Sequence, residues 1–156
     1  MSMPDIRALV PHSGQMVMLD RVLSADIDNL CAEVRIRADS MLASEHGVGA
    51  WVGIEYMAQA IAAHAGWLAQ RRGEEVKVGL LLGSRKYEAK VTYFAPGSLL
   101  TVHVHRVLLA DNGLGAFECR IDTDDGAGGV ASAATATVTV FQPNNVNQFI
   151  EDGNVA

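Results

Sequence analysis

A chain of 156 residues, 49% hydrophobic and 19% charged, is long enough to bury one core and does not require a second domain. Its formal charge of −6 leaves no basic stripe able to displace counterions from a phosphate backbone, which excludes a nucleic-acid partner. So apolar a composition implies a surface that meets another chain, and a homo-oligomer is expected.

In chain order, SMPDIRALVPHSG reads as a short helix with Ser2 as a possible cap, Pro4 and Asp5 in the first turn and Pro11 as the stop. Two strands follow, MVMLDRVLSADI and LCAEVRIRAD, separated by Asp28-Asn29. In the second, Cys31, Glu33, Arg35 and Arg37 alternate with Ala32, Val34 and Ile36, which gives one charged face and one apolar face. The only long helical signal runs from Trp51 to about Arg72 and stops at Gly73, with Arg71 and Arg72 at its negative end. Beyond it everything reads as sheet. VKVGLLLGSRKYEAKVTYF is one long strand broken or bulged near Gly83, and APG turns the chain. SLLTVHVHRVLLA, LGAFECRIDTD and VASAATATVTVFQ are then joined by DNG and DGAGG turns. The tail from about residue 143 is polar and expected to be loosely held.

One helix against a run of antiparallel strands is an α+β architecture in a single domain, 1–156. Ala58, Ala60, Ala62, Ala63, Ala65 and Gly66 leave the helix slim enough for a sheet to wrap it from more than one side. Cys31 and Cys119 lie in apolar strand runs without the spacing of a metal site, so buried free thiols in a reducing cytoplasm are expected, with no metal and no cofactor. No run reaches transmembrane length and no basic segment precedes an apolar stretch near Met1. The expectation is a soluble cytoplasmic protein without a membrane partner.

The candidate site centres on Glu55, a lone acid among small and apolar residues at the start of the long helix. It either performs proton transfer or serves as a first-turn acid favoured by the helix dipole or paired with Arg85. Gln59, four residues on, shares its face and could orient Glu55 or a water. At about 100° per residue, His64 points to the opposite side and reads as a hydrogen-bonded core histidine, or one facing its counterpart across a dimer. His46 sits in a glycine-flanked loop from which an imidazole could reach across an interface, and the N–H groups near Gly47 and Gly49 could cradle an oxyanion. His103 and His105 share a face with Thr101 and should line the solvent side of a strand. Arg85, Lys86 and Lys90 form a basic strip that could meet the phosphates of a pantetheine arm or an acidic carrier, or simply protect an edge strand.

Three ordered segments carry a family resemblance. LVPHSGQMVMLDRVL, GIEYMAQAIAAHAG and LLLGSRKYEAKVTYFAPGSLL resemble the opening segment, the central helix and the basic strand with its Pro-Gly turn in the hot-dog 3-hydroxyacyl-carrier-protein dehydratases. The resemblance is closest to the small dehydratase-like proteins of aryl-polyene lipid pathways. It implies a hot-dog fold, a double hot-dog dimer or a heterodimer with another hot-dog subunit, and a site at the subunit interface where an imidazole of one chain meets the helix acid of the other. The acid and glutamine fall on Glu55 and Gln59. His46, nine residues before Glu55, stands closer to the acid than the family's histidine does, and His12, structural in the family's opening motif, becomes its substitute. The implied activity is dehydration of a 3-hydroxyacyl thioester borne on a carrier protein or coenzyme A. Acyl-thioester hydrolysis and a non-catalytic partner subunit are the alternatives.

Overall fold

A computed structural model describes residues 3–10, 17–73, 80–124 and 129–141, with the backbone alone for 80–82, 84 and 85. The opening helix α1 is short, Ile6–Leu9, and its cap is Asp5, whose carboxylate accepts the Arg7 N–H at 2.9 Å. Asp5 takes the role expected of Ser2 because its extended backbone aims the side chain at the first open N–H. Strands β1 (Arg21–Ala25) and β2 (Asn29–Arg35) follow. Asp26 closes the turn between them by accepting the Asp28 and Asn29 N–H groups at 2.9 and 2.8 Å. Those donors hold its carboxyl below the usual range. In β2 the expected alternation appears, with Leu30, Ala32 and Val34 buried and Asn29 and Arg35 exposed.

Two short strands that the pattern did not announce, β3 (Ala43–Ser44) and β4 (Gly47–Gly49), lead into a 3-10 turn, Ala50–Val52, and then into helix α2, Gly53–Arg71. Gly73 ends it at φ +70, the left-handed geometry glycine adopts without strain. The expected single long strand is two: β5 (Leu80–Ala89) and β6 (Tyr93–Phe94). Lys90 instead donates its N–H to Ala133 and a bend intervenes, so β6 pairs with β4 rather than with the larger sheet. Strands β7 (Leu99–Leu109), β8 (Leu114–Asp124) and β9 (Val130–Phe141) complete the chain. The DGAGG turn and the tail fall outside the described residues, apart from Gly129.

The main sheet has six antiparallel strands in the order β1-β2-β7-β8-β9-β5, and the small sheet runs β3-β4-β6. Helix α2 touches β2, β7, β8, β9 and β5. One helix can reach strands near both edges of a six-stranded sheet only if that sheet curls around it, which is the wrapped α+β arrangement expected. The enclosed core joins Tyr56, Met57, Ile61 and Ala63 of the helix to Val34, Leu100, Val102, Phe117, Ile121 and Val138. Each large side chain taken from water there contributes about 1.5–3 kcal/mol. Small residues set the approach distance: a Cβ on Gly66 would overlap the Leu9 backbone, so α1 lies directly on α2 at that point.

Candidate active site at the start of the long helix

The start of α2 is fixed from three directions. Ala50 donates its N–H to Thr92 at 2.9 Å, and its carbonyl accepts a hydrogen bond from the Tyr87 hydroxyl. Gly53 leaves the room that the Tyr87 hydroxyl, Ile121 and Phe94 occupy. Tyr87 reaches inward across a register shift between Arg85 and Glu88, where Lys86 adopts φ +54. Among the described residues no side chain caps the helix; the Gly53 N–H bonds the Ala50 carbonyl of the preceding 3-10 turn, and the positive end of the helix dipole lies beside Glu55.

Glu55 is half-buried and Gln59, one turn on, is wholly buried. The Met18 backbone N–H donates to Gln59 Oε1 at 2.9 Å, and Gln59 Nε2 donates to Glu55 Oε1 at 3.2 Å. A backbone N–H can only donate, so it dictates that the amide oxygen faces Met18 and the amide nitrogen faces Glu55. The carboxylate is thereby held in one orientation. The buried amide is thus bonded at one end to the Met18 backbone and at the other to the Glu55 carboxylate.

Tyr56, between them in sequence, points elsewhere. It packs against Phe94 with ring centroids 6.0 Å apart, and burial, with the nearby charge of Asp20, pushes its hydroxyl up to about 12. Tyr56, Val17 and Met18 form the wall of a groove of about 720 Å3 whose rim carries Arg7, Arg35 and Arg37. That groove lies against the Met18 peptide that anchors Gln59.

The histidines separate. His46 is exposed on the turn between β3 and β4, its Nε2 3.4 Å from Glu45 and its ring 5.4 Å from that of Tyr93. His12 lies outside the described residues. His64 is the core histidine expected: it is 1% exposed, edge-on to Phe117, and directs Nε2 at the Asp26 and Ile27 carbonyls at 3.0 and 3.1 Å. Carbonyls only accept, so Nε2 carries the hydrogen. Burial lowers its pKa and favours the neutral ring.

His103 and His105 lie on the outward face of β7, opposite the buried Val102 and Val104, as expected: His103 is partly shielded with Nε2 3.3 Å from Asp122, and His105 is exposed and bonds Asn29 at 2.8 Å. Both line a second groove of about 600 Å3 with Cys31, Glu118, Arg120 and Lys86, which Glu55 does not line. Cys119 is buried and Cys31 half-buried, both free, and burial raises both thiols, Cys119 to about 12.

Gly47 and Gly49 serve close packing: a Cβ on the first would overlap the Phe94 carbonyl, and one on the second would meet the Trp51 indole at 2.5 Å. Lys86 and Lys90 are exposed, whereas the Arg85 side chain lies outside the described residues. Met18 and Tyr87 were not anticipated. Met18 contributes a backbone group, which no residue type advertises, and Tyr87 depends on a bulge that alternation alone does not reveal. Among the described residues, no group of three or more His, Cys, Asp or Glu could hold a metal, and no helix is long and apolar enough to cross a membrane.

The ApeP-like family, described as ApeP dehydratase, matches residues 4–151. Among solved structures, the dehydratase heterocomplex ApeI:P from Xenorhabdus doucetiae matches at TM-score 0.84 and 28% identity, over 98% of this chain and 99% of that one. A hypothetical thioesterase with coenzyme A from Streptococcus pneumoniae TIGR4 matches at TM-score 0.61 and 13% identity, over 78% and 84%. A thioesterase family protein from Silicibacter pomeroyi matches at 0.60 and 15%, over 79% and 83%. The last two share the fold alone. No curated protein matches.

Proposed function

The chain belongs to the ApeP-like dehydratase family, and from that premise we propose that it dehydrates a 3-hydroxyacyl thioester, in aryl-polyene or fatty-acyl lipid synthesis, with Glu55 as one of the two proton-transfer groups. The reaction removes a proton from C2, breaks the C3–O bond as the hydroxyl is protonated to leave as water, and places transient negative charge on the thioester oxygen. Glu55 supplies one transfer and an imidazole the other. In a dimer of two copies, His46 reaching from the second copy is the first candidate for that ring and His12 the second; in a heterodimer the partner hot-dog chain supplies it. The positive end of the α2 dipole favours that oxygen, and a backbone N–H of the Gly47–Gly49 segment is the candidate donor to it.

The observation that carries this reading is the Met18–Gln59–Glu55 relay, because a purely structural first-turn acid needs no buried amide to aim it. The substrate is carried on a carrier protein or coenzyme A, the setting is cytoplasmic, and the working form is a dimer. A second hot-dog chain is favoured over a second copy as partner by the match to a heterocomplex across nearly the whole length of both chains. Enoyl-thioester formation by the purified chain, alone and with such a partner, tests the proposal: Glu55→Gln should abolish turnover, and an unaffected variant removes the claim. Thiol release without enoyl product would instead select hydrolysis.

A further inference from the structure

The groove beside Met18 gathers cations that lie far apart in sequence. Arg7 lies in α1, Arg35 ends β2 and Arg37 follows two residues on, and all three line one cavity of about 720 Å3. Asp20 organises two of them, accepting the Arg35 N–H at 2.6 Å and facing Arg37 Nη1 at 3.2 Å. The Arg35 guanidinium donates to the Gly97 carbonyl at 3.2 Å. That acceptor is neutral, so it fixes the guanidinium without cancelling its charge. Asp20 and Asp39 also line the groove, so among the described lining residues three cations stand against two anions on a chain whose formal charge is −6. The inner wall is Val17, Met18, Val34 and Tyr56.

Guanidinium groups at a rim above an apolar wall suit a ligand with a phosphate head and a slender, mostly uncharged arm. We infer that the Arg7–Arg35–Arg37 groove receives the phosphate of the 4′-phosphopantetheine arm that bears the acyl thioester. The inference rests on the proposed reaction for the identity of the arm, while the groove and its charges stand apart from Glu55. It moves the anion site from the Arg85–Lys90 strip to three arginines next to the Met18 peptide. The strip has its own strand and bulge, whereas this groove shares a wall with the relay that aims the acid.

Calorimetric titration of the full chain with 4′-phosphopantetheine and with pantetheine, the same arm without phosphate, tests it. The phosphorylated arm should bind at least about tenfold tighter, and Arg35→Gln or Arg37→Gln should cut that preference below about threefold. Equal affinity for the two arms, or a preference that survives both substitutions, overturns the inference. Should loss of the Asp20 pairing unfold Arg37→Gln, wild-type titrations at low and high salt apply the same test, because a phosphate–arginine contact weakens with ionic strength. A preference insensitive to salt overturns the inference as well. Coenzyme A and a phosphopantetheinylated carrier protein, compared as titrants, identify which source the groove favours. The binding needs no turnover, so Glu55→Gln should keep the preference. Phosphate preference without dehydration would count against the reaction alone, and dehydration without phosphate preference against the groove alone.

Discussion

The backbone N–H of Met18 donates to Oε1 of Gln59 at 2.9 Å, and this bond decides which end of a buried amide faces the acid. The strand-side chain before Asp20 and the long helix are thus joined through one side chain, whose other end lies 3.2 Å from Glu55.

Gln59→Leu keeps the volume and removes both bonds. It should cost about 1–3 kcal/mol of stability, the cost of leaving a donor unsatisfied, and lower dehydration at least tenfold, read from a urea melt and from enoyl formation. Gln59→Glu sets a second carboxylate beside Glu55. Two adjacent carboxylates resist joint ionisation, so the acidic limb of the pH–rate profile should move to higher pH. An unmoved limb would mean that Gln59 does not act through Glu55.

Gly66→Ala tests the contact between the two helices. Its Cβ would overlap the Leu9 carbonyl, with Leu9 C and Cα at 2.8 and 2.9 Å, so α1 must shift. Alanine's better helix propensity recovers up to about 1 kcal/mol, and overpacking costs about 1–3. The net expectation is a thermal midpoint lower by a few degrees, and a higher midpoint would show that α1 is not held there.

Acid should destabilise the fold through His64, which is buried, and His103, which is half-buried. Burial holds His64 below its ordinary value, and burial with the nearby Arg120 charge does the same for His103. The unfolded chain therefore binds protons near pH 6.5 that the folded chain refuses. Stability is complete above that pH and falls as pH drops through it towards the lower folded values. Urea midpoints should be level from about pH 8 to 7 and decline between about pH 6.5 and 5. His64→Leu should lessen the decline and cost about 1–3 kcal/mol at pH 8, because the Asp26 and Ile27 carbonyls lose their donor.

Trp51 is 68% exposed and Tyr93 43% exposed on adjoining parts of the small sheet and helix start. Large aromatic surface of that kind anchors interfaces. Trp51→Ser should weaken capture of a second hot-dog chain at least tenfold in sedimentation or pull-down, while the melting of the isolated chain moves little. Unchanged capture would place the interface elsewhere.

Much of this arrangement was legible in the residues. Alternation in β2, β7, β8 and β9 gave strands because a half-buried sheet repeats every two residues, and the alanine-rich run gave the helix and its slim profile. The four-residue spacing of Glu55 and Gln59 put them on one face for the same reason. The short strands β3 and β4 were missed, since two or three residues cannot display a period, and β6 was read as the end of the long strand before it. Asp5 rather than Ser2 caps α1, because a cap depends on backbone angles as well as residue type.

Periodicity and side-chain volume, which are local, determined the elements, the helix acid and the separation of His64 from it. Only the tertiary structure could bring the Met18 amide to Gln59, turn Tyr87 onto Ala50, and assemble Arg7, Arg35 and Arg37 around one groove. Such contacts join segments dozens of residues apart through backbone groups and chain reversals, and the energy that selects them is the packing of the whole core.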